Sequence, residues 1–445
     1  MPKARYKQVV DSLAADIHSR KFRPGHRLPT HRQLASQHGM ALATASRVYA
    51  ELEAMGLVSS ETGRGTFVRE AALPPGLGID QPAMTAEMVN LNFSIPALPQ
   101  QGELLRVALR KLASSGDINS LLRYQPHGGR LSEREIIAKH LSKLGLQVDA
   151  AYVLFVSGAQ HGLAVTTMAV FNPGDVLAID ALTYPGMKVL AESLGLELVA
   201  IPTLDSGPDL DVLERLCSRR RVRAVYTQPT VHNPLGWVLN MERRQQLVKL
   251  ARQHDLILIE DAAYAFLEAE APTPLAALAP ERTIYVSGFS KSIATGLRVG
   301  FVTAPPAYIP LIERTIRATI WNTPAVMTAI VCDWIKDGTL ARLESEKRQD
   351  AVIRQNIAAE VLGDLKYVGH PASYFLWIPL PEEVRADRVA KELLDNDISV
   401  STAVPFATSV QVPHALRIAI GSVEFDVLRH ALTKVKNVIE YHQYL

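Results

Sequence analysis

From residue 91 onward, short apolar runs recur between helical stretches, at 153–156, 176–179, 224–226, 256–259, 283–286 and 299–302. A strand with one wet face alternates apolar and polar side chains. Strands apolar on both faces are covered by helices on both sides, the situation of a mostly parallel sheet. The pattern therefore predicts an α/β body built on such a sheet. A smaller α/β segment follows from about residue 345 and ends in a helix near the C-terminus. With 445 residues, 48% of them hydrophobic, the chain has apolar mass for a large core and for more than one domain.

Residues 1–70 read differently. Val10, Leu13, Ala14 and Ile17 repeat at helical spacing within 3–20, and Pro24-Gly25 breaks that helix. Thr30 and Gln33 form a capping-box pair at the start of a second helix, which ends at Gly39. A third helix, about 42–55, places Ala45, Val48, Tyr49, Leu52 and Met55 on one face, and Gly56 stops it. Runs 57–60 and 66–68 flank Glu61-Thr-Gly-Arg-Gly65 as a β-hairpin with a glycine-rich tip. Three helices and a hairpin make a winged helix-turn-helix, whose third helix suits the major groove and whose wing suits phosphates. A small helical domain that binds protein shares this outline.

Charge leans toward an anionic partner. Residues 1–70 carry 11 Lys and Arg against 6 Asp and Glu, whereas 71–445 carry 36 against 39. Residues 71–90 have the Pro and Gly content of a short linker. Cys217 and Cys332, the only cysteines, are too few for a disulfide scaffold or a zinc site. The N-terminus is polar and no run is long and apolar enough to span a bilayer, so a soluble, cytoplasmic protein with no membrane partner is expected. Asn92-Phe93-Ser94 matches a glycosylation sequon, which without a secretion signal reads as chance.

Chemistry-bearing residues fall at or just beyond the carboxyl ends of the apolar runs, where open α/β sheets place ligands. Ser157-Gly158-Ala159-Gln160 turns from a strand into a helix, whose free amides suit a phosphate. Tyr184 follows the next run and could stack on a flat ring, or be structural. Asn233, in Gln228-Pro-Thr-Val-His-Asn233, can donate to a ring oxygen, and Tyr264 can donate to the same atom. Asp261 can pair with a protonated ring nitrogen, or serve as a buried structural acceptor. Lys291, in Ser287-Gly-Phe-Ser-Lys291-Ser-Ile-Ala-Thr-Gly-Leu-Arg298, offers an amine for an imine, with Ser290 and Arg298 near enough in sequence to hold a phosphate. Together these are the needs of a pyridinium ring acting as an electron sink.

At this point the chain resembles known families. Over residues 5–69 it is similar to the GntR family of bacterial regulators, through Gly25-His-Arg-Leu-Pro-Thr-His-Arg32-Gln-Leu-Ala, Thr44…Arg47-Val-Tyr49…Leu52…Gly56 and Gly63-Arg-Gly-Thr-Phe-Val68. That resemblance implies promoter DNA as partner and Arg32, Thr44, Ser46, Arg47 and Arg64 as its contacts. Ala41-Leu42 departs from the Ser-Arg frequent at the start of that family's recognition helix. Residues 91–445 resemble fold-type I, pyridoxal-phosphate-dependent aminotransferases. By that resemblance Lys291 is the Schiff-base lysine, Asp261 pairs with the pyridine nitrogen, Asn233 and Tyr264 reach the phenolic oxygen, and Tyr184 stacks. Gly158, Ala159, Gln160, Ser290 and Arg298 cradle the phosphate, Tyr124 reaches it from a second subunit, and Arg417 clamps an amino acid's carboxylate with Asn233 nearby. Gly288 departs from the Ser or Thr usual three residues before the lysine; Ser287 compensates, or the cradle has one donor fewer. The fused arrangement resembles the MocR subfamily of transcriptional regulators. It implies a homodimer that senses an amino acid, an amine or a vitamin B6 species; an active aminotransferase with an accessory head is the alternative.

Overall fold

The computed structural model describes residues 4–18, 21–22, 26–55, 57–61, 65–68, 88–96, 98–114, 118–204, 207–381, 384–409 and 411–443. Helix α1 spans Ala4–His18, α2 His31–His38 and α3 Leu42–Ala54. Val9, Val10, Leu13, Ala14 and Ile17 form the buried stripe of α1, packed in one core with Ala45, Val48, Tyr49 and Leu52 of α3. The capping box is present: Gln33 N donates to Thr30 Oγ1 at 3.3 Å, and Thr30 N donates to Gln33 Oε1 at 2.8 Å. Gly39 ends α2 in the left-handed region, φ 58° and ψ 44°, where a side chain is costly. Helix α3 starts at Ala41 without a side-chain cap, the local consequence of the Ala41-Leu42 departure. Strands β1 (Val58–Glu61) and β2 (Gly65–Val68) pair antiparallel with Val58 opposite Val68. Pro24, Gly25, Gly56, the tip residues 62–64, residues 69–70 of the head and residues 71–87 of the expected linker lie outside the described residues.

Strand β3 (Val89–Asn90) joins the body by pairing in parallel with Ile398–Ser399. The main sheet comprises β4 (Val153–Val156), β5 (Val176–Asp180), β6 (Glu197–Ile201), β7 (Ala224–Thr227), β8 (Ile257–Asp261), β9 (Thr283–Gly288) and β10 (Gly300–Thr303). Its order is β4-β10-β9-β8-β7-β5-β6, and every neighbouring pair is parallel except those made by β10. All residues of β4, β5, β7 and β8 are buried, as their two-faced apolar composition requires. Strand β6 is the exception: it sits at the edge, starts on exposed Glu197 and buries only Ile201.

Beyond the long helix Thr339–Leu362, a three-stranded antiparallel sheet of β11 (Phe375–Pro379), Ser401–Thr402 and Ala415–Ala419 packs with helices Ala386–Leu394 and Phe425–Gln443 around a second core. The head meets this segment. Arg385 Nη1 lies 2.9 Å from Asp11, Arg388 Nη2 3.0 Å from Glu51, and His414 Nε2 3.7 Å from Asp11. Among the described residues, no helix is long and apolar enough to cross a membrane.

Candidate functional site

The first corner of the site lies where β4 turns into helix Ala159–Val170. Gly158 has φ 85°, and a Cβ there would stand 2.9 Å from Arg298 Nη2, so glycine lets the guanidinium lie across the helix start. Arg298 Nη2 donates to Ser157 O at 3.1 Å and Nη1 to Ser290 Oγ at 3.3 Å. His161, in the first turn of the helix, accepts from Ser157 N at 3.1 Å and contacts Thr319 Oγ1 at 2.9 Å through its other nitrogen. Burial, and then Arg298, push the His161 pKa down to about 4, so the ring is neutral and steadies the turn. Helix amides, a guanidinium and a hydroxyl thus converge where an anion would fit.

Gly288 sits at the end of β9 against this corner. A Cβ on it would stand 3.0 Å from Ala159 N and 3.3 Å from Val299 O, so the glycine allows the strand to press on the helix start. Ser287 does not supply the missing hydroxyl. Its Oγ donates to Ala262 O at 3.3 Å, and the residue lines the adjacent cavity rather than this one.

The middle of the site is built on the ends of β7 and β8. Asp261, 2% exposed, accepts from Tyr226 Oη at 2.7 Å and Gln228 Nε2 at 3.0 Å on one oxygen, and from Ala263 N at 3.0 Å on the other. Burial raises the carboxyl's pKa, and these donors pull it back. Gln228 also accepts from Asn233 N at 3.1 Å, which fixes the Asn233 backbone beside the carboxylate. Tyr184 stands at the start of helix Pro185–Ser193, and burial raises its hydroxyl's pKa. Tyr264 is buried edge-to-face on Phe375, with ring centroids 5.2 Å apart.

Two cations complete the cavity. Lys291 Nζ donates to Ser94 O at 2.6 Å and lies 5.9 Å from the Tyr264 ring centroid. Arg417, 4% exposed, donates from Nη1 to Asn92 O at 2.7 Å and lies 5.0 Å from the Phe375 ring and 5.8 Å from that of Phe406. Burial lowers its pKa, and Tyr264 beside it acts the other way. Ala159, Gln160, Tyr184, Asn233, Asp261, Tyr264, Ser290, Lys291, Arg298 and Arg417 all line one cavity of about 400 Å³. Gly158 stands behind Arg298 at its edge. Gln160 Oε1, Asn233 Oδ1 and Arg417 Nε are buried there without a hydrogen-bond partner, the signature of a space shaped for a polar ligand.

Tyr124 is not brought into this cavity: it is 86% exposed, its ring 5.4 Å from that of Trp321. In the head, Arg32 and Arg47 are exposed and Thr44 is half-buried. The Arg47 guanidinium lies 4.8 Å over the Tyr6 ring, and Ser46 Oγ is engaged with His31 Nδ1 at 2.9 Å. Arg64 lies outside the described residues. Sequence reasoning missed Tyr226 and Gln228, which hold Asp261, and Asn92 and Ser94, which touch Arg417 and Lys291. In the sequence Tyr226 is simply the end of an apolar strand run. The Asn92-Phe93-Ser94 sequon is a wall of the cavity.

Two family models match the chain. Aminotransferase class I and II covers residues 86–435, and the gntR family of bacterial regulatory proteins covers residues 5–68. The chain belongs to the aminotransferase class I and II family. It is a GntR-type head fused to an aminotransferase body of fold type I. The HTH-type transcriptional regulator YjiR of Escherichia coli is 27% identical over 98% of both chains. YdeF of Bacillus subtilis, another HTH-type transcriptional regulator, is 25% identical over 93% of this chain and 90% of its own. The 2-aminoadipate transaminase of Thermus thermophilus is 26% identical over 78% of this chain and 88% of its own. Among solved structures, the kynurenine aminotransferase of Pyrococcus horikoshii superposes with a TM-score of 0.75 at 24% identity, covering 80% of this chain and 92% of its own. That likeness speaks to the fold of the aminotransferase body.

Proposed function

We propose that this protein is a DNA-binding transcriptional regulator that uses pyridoxal 5'-phosphate to sense an amino acid, an amine or a vitamin B6 species. The observation that carries the reading is the convergence of Lys291, Asp261 and Arg417 on one cavity in a chain that also bears a winged helix-turn-helix head. The unpartnered polar atoms of Gln160, Asn233 and Arg417 fit a ligand with polar groups on several sides. Bound there, the cofactor supplies an aldehyde that captures amines and a ring that withdraws electrons.

The protein's own residues divide the work. Lys291 presents its amine to the aldehyde, and Asp261, held by Tyr226 and Gln228, accepts a proton-bearing ring nitrogen. Asn233 and Tyr264 serve the phenolic oxygen, and Tyr184 stacks on the ring. Gly158, Ala159, Gln160, Ser290 and Arg298 hold the phosphate, and Arg417 takes a carboxylate of the incoming ligand in a bidentate grip. Arg32, Thr44, Ser46, Arg47 and Arg64 are the contacts to promoter DNA in this reading. A ligand shifts the head only through unequal affinity for two arrangements of the protein.

The working unit in this reading is a cytoplasmic homodimer, with residues 1–70 as head and 71–90 as linker, whose last two residues pair into the 91–445 body. Helix Gln101–Ala113 supports the dimer: it buries none of its residues, yet carries Val107 at 51% and Leu109 at 43% exposure. Leu122 at 85% and Tyr124 at 86% add apolar surface, and Tyr124 then serves the phosphate of a second copy.

Titration with pyridoxal phosphate should give a visible-range band, and the protein should retard the DNA upstream of its own coding sequence at low salt. Absence of the band overturns the cofactor assignment, and absence of retardation overturns the regulator assignment. The cavity keeps the groups that transamination needs, so repeated turnover of an amino donor with a keto acid would make the body an enzyme as well.

A further inference from the structure

Lys347 is fully buried in helix Thr339–Leu362, and no role above uses it. Its Nζ donates to three backbone carbonyls: Pro96 O at 2.9 Å, Lys291 O at 2.9 Å and Ile293 O at 2.5 Å. Two of these belong to the turn that carries Lys291. The third belongs to the segment whose residues Asn92, Phe93 and Ser94 wall the cavity. In that segment the carbonyls of alternate residues each receive a cation: Asn92 from Arg417, Ser94 from Lys291, Pro96 from Lys347. Arg417 and Lys291 stand ready for ligands. Lys347, with all three contacts on backbone, is the fixed member of the set.

We infer that Lys347 is a positioning residue for Lys291, tying the turn that carries it to the cavity wall at 92–96. The inference rests on the reading of Lys291 as the cofactor's attachment point. Three acceptors call for three N–H donors, which a lysine has only as the ammonium. Burial, and then Lys291, push the Lys347 pKa down to about 7, while Asp350 and Glu344 of the same helix act the other way. Burying such a group is costly, and an apolar replacement removes that cost but leaves the three carbonyls without their donor. What an apolar side chain cannot do is hold the carbonyls of residues 291 and 96 at one point. That grip fixes the direction in which the Lys291 stem leaves the backbone, at the site where its amine must meet the aldehyde carbon. Joining them forms a C=N bond and releases one water.

The test compares two ligands that share the cradle but not the bond. Pyridoxal phosphate bonds to Lys291, whereas pyridoxamine phosphate, which lacks the aldehyde, does not. Full-length wild type, Lys347→Met and Lys347→Arg are titrated with each, and circular dichroism checks the fold. We expect Lys347→Met to weaken pyridoxal phosphate by about tenfold or more and pyridoxamine phosphate by less than about threefold, with Lys347→Arg closer to wild type. Parallel losses for both ligands would show a role in general packing and overturn the inference, as would no loss for either. Should Lys347→Met not fold, Lys347→Gln, which keeps a donor but loses the charge, is judged by the same comparison. A wild type that binds neither ligand overturns the cofactor reading and this inference with it.

Discussion

Two arginines of the head stand in the open, whereas two cations at and behind the cavity are buried. Arg32 and Arg47 are exposed on the head, whereas Arg417 is 4% exposed and Lys347 fully buried, both fastened to backbone carbonyls. Exposed charges attract any polyanion, weakly per residue and through a screened field. Buried, fastened charges recognise one shape, because a ligand must match their geometry to repay desolvation. The head is thus organised for a long, uniform partner and the cavity for a small, specific one. Perturbations should separate them.

The largest separation should come from Lys291→Ala. It should abolish the visible band with pyridoxal phosphate altogether, while DNA retardation by the cofactor-free proteins stays within about twofold of wild type, since distant sites that share no partner act nearly independently. Salt should act in the opposite sense. Between 50 and 200 mM, DNA affinity measured by fluorescence anisotropy should fall by roughly 10³-fold, with cofactor affinity nearly constant. A comparable fall in both would erase the distinction between the two regions.

Next in size is Tyr226→Phe. It removes the 2.7 Å donor to Asp261 without changing shape, and a hydrogen bond to a charged group is worth about 1.5–3 kcal/mol. Cofactor affinity should drop roughly tenfold or more, read from absorbance titration, with head function intact. Thr30→Ala reverses the pattern. It breaks the capping box at α2, costs about 1 kcal/mol of head stability, and should lower the thermal transition of the head while leaving cofactor binding unchanged.

The smallest effect concerns the junction. Burial raises the Asp11 pKa, but His414 and Arg385 outweigh it and hold the carboxyl below its usual range. A lowered carboxylate pKa stabilises at pH above the unfolded value and is lost as pH falls through the folded one. The advantage of wild type over Asp11→Asn, well under about 1 kcal/mol for so exposed a carboxylate, should therefore be present at pH 7 and fade as the pH falls below about 4 in thermal melts.

How much was legible in the sequence follows from how local each contact is. The head's capping box joins residues three apart, and its helix stripe repeats within one element, so both could be read directly. In the body, Gly158, Asp261 and Lys291 announce themselves because each follows an apolar strand. Strand β6 escaped because an edge strand need not be apolar on both faces. Tyr226 escaped because an aromatic residue in a strand looks like core until its hydroxyl is seen on Asp261. Ser94 and Asn92 meet Lys291 and Arg417 across 197 and 325 residues of chain, and no spacing rule reaches that far. Ser287 is the instructive case: one place from the missing hydroxyl in sequence, it faces the other way on an alternating strand.

The central claim is that occupancy at Lys291 governs the head. It is tested most directly by fluorescence anisotropy of labelled upstream DNA with cofactor-loaded protein, titrated with a panel of amino acids and amines, in wild type and Lys291→Ala. The account predicts that at least one compound changes the DNA affinity of wild type and has no effect on Lys291→Ala. An equal response in both proteins, or none in wild type across the panel, would contradict it.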